Sequence, residues 1–203
     1  FDDIQTLLKD DLAQTDALLH SRLSSNVALI NQVSSYIIRA GGKRLRPLLL
    51  LLCARATNYQ GEHHRLMAVV IELIHTATLL HDDIVDESST RRGKNTANEV
   101  WGNAASVLVG DFLYSRSFEM MVEPDSMKIM QILSKATNEI AQGEVLQLLN
   151  CKNSALTQAE YYQVIERKTA ILFQAATQIG GILSKVNNTQ EQALKDYGLH
   201  LGN

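Results

Sequence analysis

Four acidic side chains crowd the end of an apolar run in LLHDDIVDES: Asp82, Asp83, Asp86 and Glu87. Three cations, Arg91, Arg92 and Lys94, follow at once. On a helix, carboxylates four apart stand one above the other, about 5.4 Å along the axis, and like charges so placed repel. A hard divalent cation relieves them. Mg2+ takes one or two carboxylates and fills its other positions with water and phosphate oxygen. On this reading Asp82 and Asp86 are the metal pair, and Asp83 points off their face. The alternative is a solvated helix end, although acids there oppose the helix dipole.

Seven residues before Asp82 the same face carries His75, with Thr78 between them and Ile74, Ala77, Leu79 and Leu80 around. The face thus passes from carboxylates to small and apolar side chains, matching a ligand with a diphosphate head and a hydrocarbon tail. A lone histidine on such a face is more often a satisfied core residue, but this one shares its face with the acids. GGKRLRP at 41–47 places Lys43, Arg44 and Arg46 after two glycines. Glycine lets backbone approach an anion, Lys43 and Arg46 can converge on one diphosphate, and arginine binds phosphate through paired hydrogen bonds. Each cationic cluster alone reads as solvated charge; two of them beside an acidic cluster suit two diphosphate sites. The spacing around Lys168 and Thr169, in ERKTAILFQ, decides nothing.

The elements that must hold these groups are helical. Apolar residues recur at helical spacing at Ile4, Leu7, Leu8 and Leu12, and again at Ile30, Val33, Ile37 and Ile38. Gly41 and Gly42 stop the second helix. Further helices are expected from about 47 to 56, 65 to 86, 104 to 122 and 125 to 149, with loops over NYQGEHH and over ESSTRRGKNTANEVWGN. A capping box at Thr157 to Glu160 opens a helix expected to reach Ser184, and a similar signal at Thr189 to Gln192 opens the last. Helices this apolar must pack on one another, so the fold class is an all-α bundle.

Composition narrows the classes. The 203 residues carry a net charge of −3, 45% apolar and 20% charged residues, as in an ordinary folded protein and weakly against a nucleic-acid partner. Cys53 and Cys151 fit no metal or disulfide framework, which suits a reducing compartment. No signal peptide is visible and a cytoplasmic location is expected. The most apolar run, PLLLLLCA, is far shorter than the roughly 20 residues of a membrane span.

The segments GGKRLRP, LLHDDIVDESSTRRGK, GDFL at 110–113 and RKTA at 167–170, together with GEVLQL, resemble the trans-polyprenyl diphosphate synthases, in order along nearly the whole chain. The resemblance implies an isoprenoid-synthase-type helical bundle around a deep central cavity, usually a homodimer. It implies Mg2+-dependent condensation of isopentenyl diphosphate with an allylic diphosphate. By match, Asp82, Asp83 and Asp86 hold the metal and the allylic diphosphate, with Arg91 on that substrate. Lys43, Arg46, His75 and Arg92 match the isopentenyl diphosphate site, and Lys168 and Thr169 a further contact to the allylic diphosphate. Small residues before the acids, Ala77 and Thr78, imply a long product such as a quinone side-chain precursor, with Met121 and Leu133 as candidates for a deeper floor. A shorter-chain synthase and a non-catalytic partner subunit are the alternatives. A long product favours transient membrane contact. The family's second Asp-rich motif follows a segment like YGLHLGN, where this sequence stops. The single domain at 1–203 is therefore expected to be the N-terminal portion of a longer one, inactive by itself.

Overall fold

The computed structural model describes residues 2–151 and 153–203. Helices α1 (Asp2–Leu7), α2 (Lys9–Arg22), α3 (Ala28–Arg39) and α4 (Leu45–Ala56) lead to α5 (His63–Val85). A two-stranded hairpin, β1 (Thr90–Arg91) and β2 (Lys94–Asn95), joins α5 to α6 (Ala97–Trp101) and α7 (Asn103–Met121). Then come α8 (Met127–Asn150), α9 (Gln158–Ile165), a π-helical turn (Glu166–Ala170), α10 (Ile171–Leu183) and α11 (Asn188–Gly202).

The organising element is α5. Its 23 residues span about 35 Å. Every side chain from Leu66 to Ile71 is buried, so the helix cannot lie at a surface. It packs against α7, α4, α2 and α10. Leu50, Leu51, Met67, Leu73, Leu80, Leu113 and Ile179 belong to the one hydrophobic core. The C-terminal half of α5, which carries His75 to Asp83 and leads to Asp86, is anchored in that core by Ile74, Ala77 and Leu80.

Local sequence explains the ends. α4 begins at Leu45, before Pro47, because proline in a first turn sacrifices no intrahelical hydrogen bond. The predicted box at Thr157 and Glu160 forms, with both reciprocal bonds; an N-cap of this kind contributes about 1 kcal/mol. The last helix starts slightly earlier than its sequence signal indicated, because Asn187 with Gln190 makes the box instead of Thr189. Ser126 caps α8 by accepting from the Ile129 N–H.

Two expectations fail locally. The segment read as a plain loop after Glu87 holds the hairpin and α6. Arg92 and Gly93 both have positive φ, 52° and 77°, the backbone of a two-residue type I′ turn. Asn or Asp usually fills the place of Arg92, so RRGK hides the turn. The helix expected from 158 to 184 is interrupted by the π turn.

Candidate active site

Two cavities flank the C-terminal half of α5. The first, about 580 Å³, lies between the end of α3, the 41–44 loop, α4, α5 and the hairpin. Lys43, Arg44, Arg46, Arg91 and Arg92 line it with His75 and a single acid, Glu72. The fold thus gathers Lys43, Arg46, His75 and Arg92 around one cavity. A Cβ on Gly42 would stand 2.6 Å from the Arg92 guanidinium, so a larger residue there would displace that side chain from its place against the loop.

His75 Nε2 lies 3.2 Å from Arg46 Nη1. Burial, then Arg46, Arg92 and Arg91, push the imidazole down to about 3, so it stays neutral and can accept from arginine. Arg46 also stacks over Phe173, 4.4 Å from the ring centroid. Burial lowers Arg46 to about 10, partly offset by Glu72, which leaves it charged at neutral pH. A rigid cationic wall with one neutral histidine is suited to a multiply charged anion.

The second cavity, about 540 Å³, lies between α5, α7 and α8. Its walls include Thr78, Tyr114, Phe118, Ile140 and Ala141, with Asp82 and Glu144 at its acidic end. Its walls turn from carboxylate to apolar, but His75 does not share them. Read from spacing as standing on the face of Asp82, it opens with Leu79 on the first cavity, because seven helical residues do not return to quite one direction and two cavities flank the helix. Ala77, Met121 and Leu133 do not line it; all three are packed in the core. Thr78 does line it, donating its hydroxyl proton to the His75 carbonyl at 2.7 Å.

The acids divide their work. Asp83 is 1% exposed and accepts three hydrogen bonds from Arg91, at 2.7 to 3.1 Å. It pins the hairpin to α5, and Arg91 spends its fork there while still edging the first cavity. Asp82 turns the other way. Burial, then the Glu144 carboxylate, push it up to about 6 against the pull of Lys168. Lys168 Nζ donates to Glu144 at 2.7 Å and lies 3.5 Å from Asp82. Burial would lower the Lys168 pKa, but the Glu144 hydrogen bond and the Asp82 charge outweigh it and raise it. Asp86 is exposed at the helix end, with Gln147 Nε2 3.5 Å from it.

The π turn places Lys168. An extra residue per turn bulges the chain, a device concentrated at functional sites. Opposite it, a Cβ on Gly143 would meet Arg167 Cβ at 2.9 Å and the Lys168 nitrogen at 3.0 Å, so α8 reaches the bulge only through glycine. Thr169 follows Lys168 on the same turn, partly buried.

Glu144, Gln147 and Glu72 were not singled out in the sequence. Glu144 and Gln147 stand three apart within GEVLQL, which puts both on one face of α8 toward the acids. The polar members of that otherwise apolar segment were the available signal. No group of three His, Cys, Asp or Glu among the described residues could hold a metal ion by itself. The donors still fit a hard cation that takes its remaining ligands from phosphate and water. The charges of Glu144 and Asp86 both work against ionisation of Asp82, and the buried Glu144 Oε1 has no hydrogen-bond partner.

Known proteins resemble the chain in sequence and fold. The chain is 51% identical to octaprenyl diphosphate synthase of Escherichia coli over 98% of its own length and 62% of the relative's. It is 43% identical to an all-trans-nonaprenyl-diphosphate synthase of Rhodobacter capsulatus, over 99% of the chain and 62% of that protein. It superposes with a TM-score of 0.97 on a polyprenyl synthase of Caulobacter crescentus solved with calcium and isoprenyl diphosphate, at 48% identity, covering 99% of this chain and 61% of that one. The chain therefore spans about three fifths of the length of these relatives. The family model described as polyprenyl synthetase matches residues 27–203, and the chain belongs to that family.

Proposed function

We propose that the full-length protein joins isopentenyl diphosphate to an allylic diphosphate, repeatedly, to make a long all-trans polyprenyl diphosphate, octaprenyl diphosphate being the product the 51% identity favours. One observation carries this reading: a cation-lined cavity and an apolar cavity with carboxylates at its end lie on either side of one helix. In each cycle an allylic C–O bond breaks, the double bond of isopentenyl diphosphate attacks the allylic carbon, a proton leaves, and inorganic diphosphate is released.

Lys43, Arg46, Arg92 and neutral His75 hold the diphosphate of the acceptor in the first cavity. Asp82 and Asp86, with Glu144 close by, hold a divalent cation, Mg2+ on this reading, which when bound draws off the charge building on the leaving diphosphate. Lys168 adds a fixed positive charge beside it, and Thr169 a hydroxyl. Tyr114, Phe118 and Ile140 exclude water from the carbon cation. The growing chain runs past Thr78, where a larger side chain would block it.

The region matched here is read as the N-terminal portion of the catalytic domain, with a second Asp-rich motif completing the metal site. A homodimer belongs to the same reading; α7 exposes Leu108 and Phe118, suitable for a partner face. The long apolar product makes transient membrane contact part of it too. No helix among the described residues is long and apolar enough to cross a membrane.

The test uses the full-length protein with labelled isopentenyl diphosphate and farnesyl diphosphate. Label should enter extractable lipid only with both substrates and Mg2+, and chelation should stop it. Lack of incorporation by folded, metal-loaded protein overturns the reading.

A further inference from the structure

The loop carrying Lys43 runs through Arg44 into α4, whose first turn carries Arg46, and the Arg44 backbone is left-handed at φ 47° and ψ 42°. A side chain with a Cβ stays in that region only when its surroundings hold it there. The usual support is missing. Arg44 occupies the N-cap of α4 and its side chain makes no capping hydrogen bond, since a guanidinium has no acceptor to offer. Yet its carbonyl accepts the first hydrogen bond of α4, from Leu48 N–H at 3.0 Å.

Two carboxylates hold the guanidinium instead. Asp16 on α2 lies 3.3 Å from Arg44 Nη1, and Glu72 on α5 lies 3.8 Å from it. Asp16 is half-exposed, as a surface ion pair would be. Glu72 is not: its side chain is 16% exposed, and among the described residues it is the only acid lining the cationic cavity. Burial raises its pKa despite the opposing charges of Arg44, Arg46 and Arg92. A carboxylate kept in a wall of cations, although burial opposes its charge, works against anion affinity unless it positions something. Glu72 stands three residues before His75, on the same face of α5. A pair from Glu72 to Arg44 therefore sets the loop against the helix that carries His75.

We propose that Glu72 is a positioning residue that acts through Arg44, assisted by Asp16, to fix the left-handed turn between the 41–44 loop and α4 so that Lys43 on the loop and Arg46 on the first turn of α4 face the entering diphosphate. The identity of that anion as isopentenyl diphosphate rests on the function proposed above; the positioning role does not.

The experiment is a double-mutant cycle on the full-length protein. Calorimetric titration with isopentenyl diphosphate, and separately with inorganic diphosphate, in magnesium-free buffer reads the cationic cavity alone. Glu72→Gln and Arg44→Gln should each weaken binding about fivefold, the scale of one partly exposed ion pair. The double variant should bind no more weakly than Arg44→Gln. In steady state with Mg2+, Glu72→Gln should raise KM for isopentenyl diphosphate and leave kcat and the allylic KM in place, a split that general destabilisation would not give. Asp16→Asn, at a half-exposed site, should weaken binding in the parent and have no effect in Arg44→Gln, and it serves if Glu72→Gln does not fold. Unchanged binding in Glu72→Gln, or additive losses in either cycle, overturns the proposal, as does a parent that binds no diphosphate. A parent that binds but does not elongate overturns the function above while leaving the cycle readable.

Discussion

At the scale of single residues, two adjacent aspartates should behave oppositely. Asp82 stands in a carboxylate cluster that already resists its charge. Asp82→Asn should lower turnover about 10²- to 10³-fold, the cost of losing one charge-stabilising group, while the metal-free melting temperature at pH 8 holds or rises. Asp83 is buried under Arg91. Asp83→Asn should cost about 2 kcal/mol of stability, less than the full penalty of a wholly buried pair because Arg91 keeps some solvent. Denaturant melts beside initial rates separate the two. The spacing made this division legible, since residues four apart share a face and Asp83 does not. The sequence could not show that Asp83 has a partner, because RRGK conceals the turn that returns Arg91 to it.

His75 gives a pH signature. Its native pKa lies near 3 against an ordinary 6.5. Between those values the unfolded chain binds a proton that the native chain refuses, so stability is intact above about 6.5 and falls as pH drops toward 3. One such site contributes a slope of at most about 1.4 kcal/mol per pH unit. Subtracting the urea-melt stabilities of His75→Gln from those of the parent at pH 7.5, 6 and 5 should isolate that slope; equal pH dependence in both would contradict a buried neutral histidine.

At the scale of elements, the π turn and Gly143 form one device. Gly143→Ala should push α8 off the bulge, since two heavy atoms stand within 3.0 Å of the new Cβ. Lys168 would then lose its place beside Asp82. Turnover should fall about as far as in Lys168→Gln, of the order of 10²-fold, and the double variant should be no worse than either alone. Additive losses would show that Gly143 serves packing only. Neither partner was readable from local pattern. A π turn has the same composition as the helix around it, and Gly143 and Lys168 are 25 positions apart in the chain. Helix existence was legible because apolar periodicity and caps are local, as at Thr157. The hairpin was missed because tertiary contacts, Asp83 with Arg91 and Arg92 with Gly42, hold Arg92 in a backbone state its residue type disfavours.

At the scale of the whole molecule, the sequence foretold a helical bundle because no helix here could bury its apolar face alone, and α5 bears this out by being enclosed on every side from Leu66 to Ile71. The depth of the apolar cavity was less legible. Met121 and Leu133 were candidates for its floor, yet they pack in the core, while Tyr114, Phe118 and Ile140 form the walls. Helical Met and Leu look alike in sequence whether they face a cavity or another helix. Product length is therefore the property on which cavity, acids and cationic wall must agree. The most direct measurement is the mass of the products made by the full-length protein from farnesyl diphosphate, isopentenyl diphosphate and Mg2+. A ladder of all-trans polyprenyl diphosphates ending at octaprenyl is the predicted result; folded, metal-loaded protein that leaves farnesyl diphosphate unextended would contradict the account.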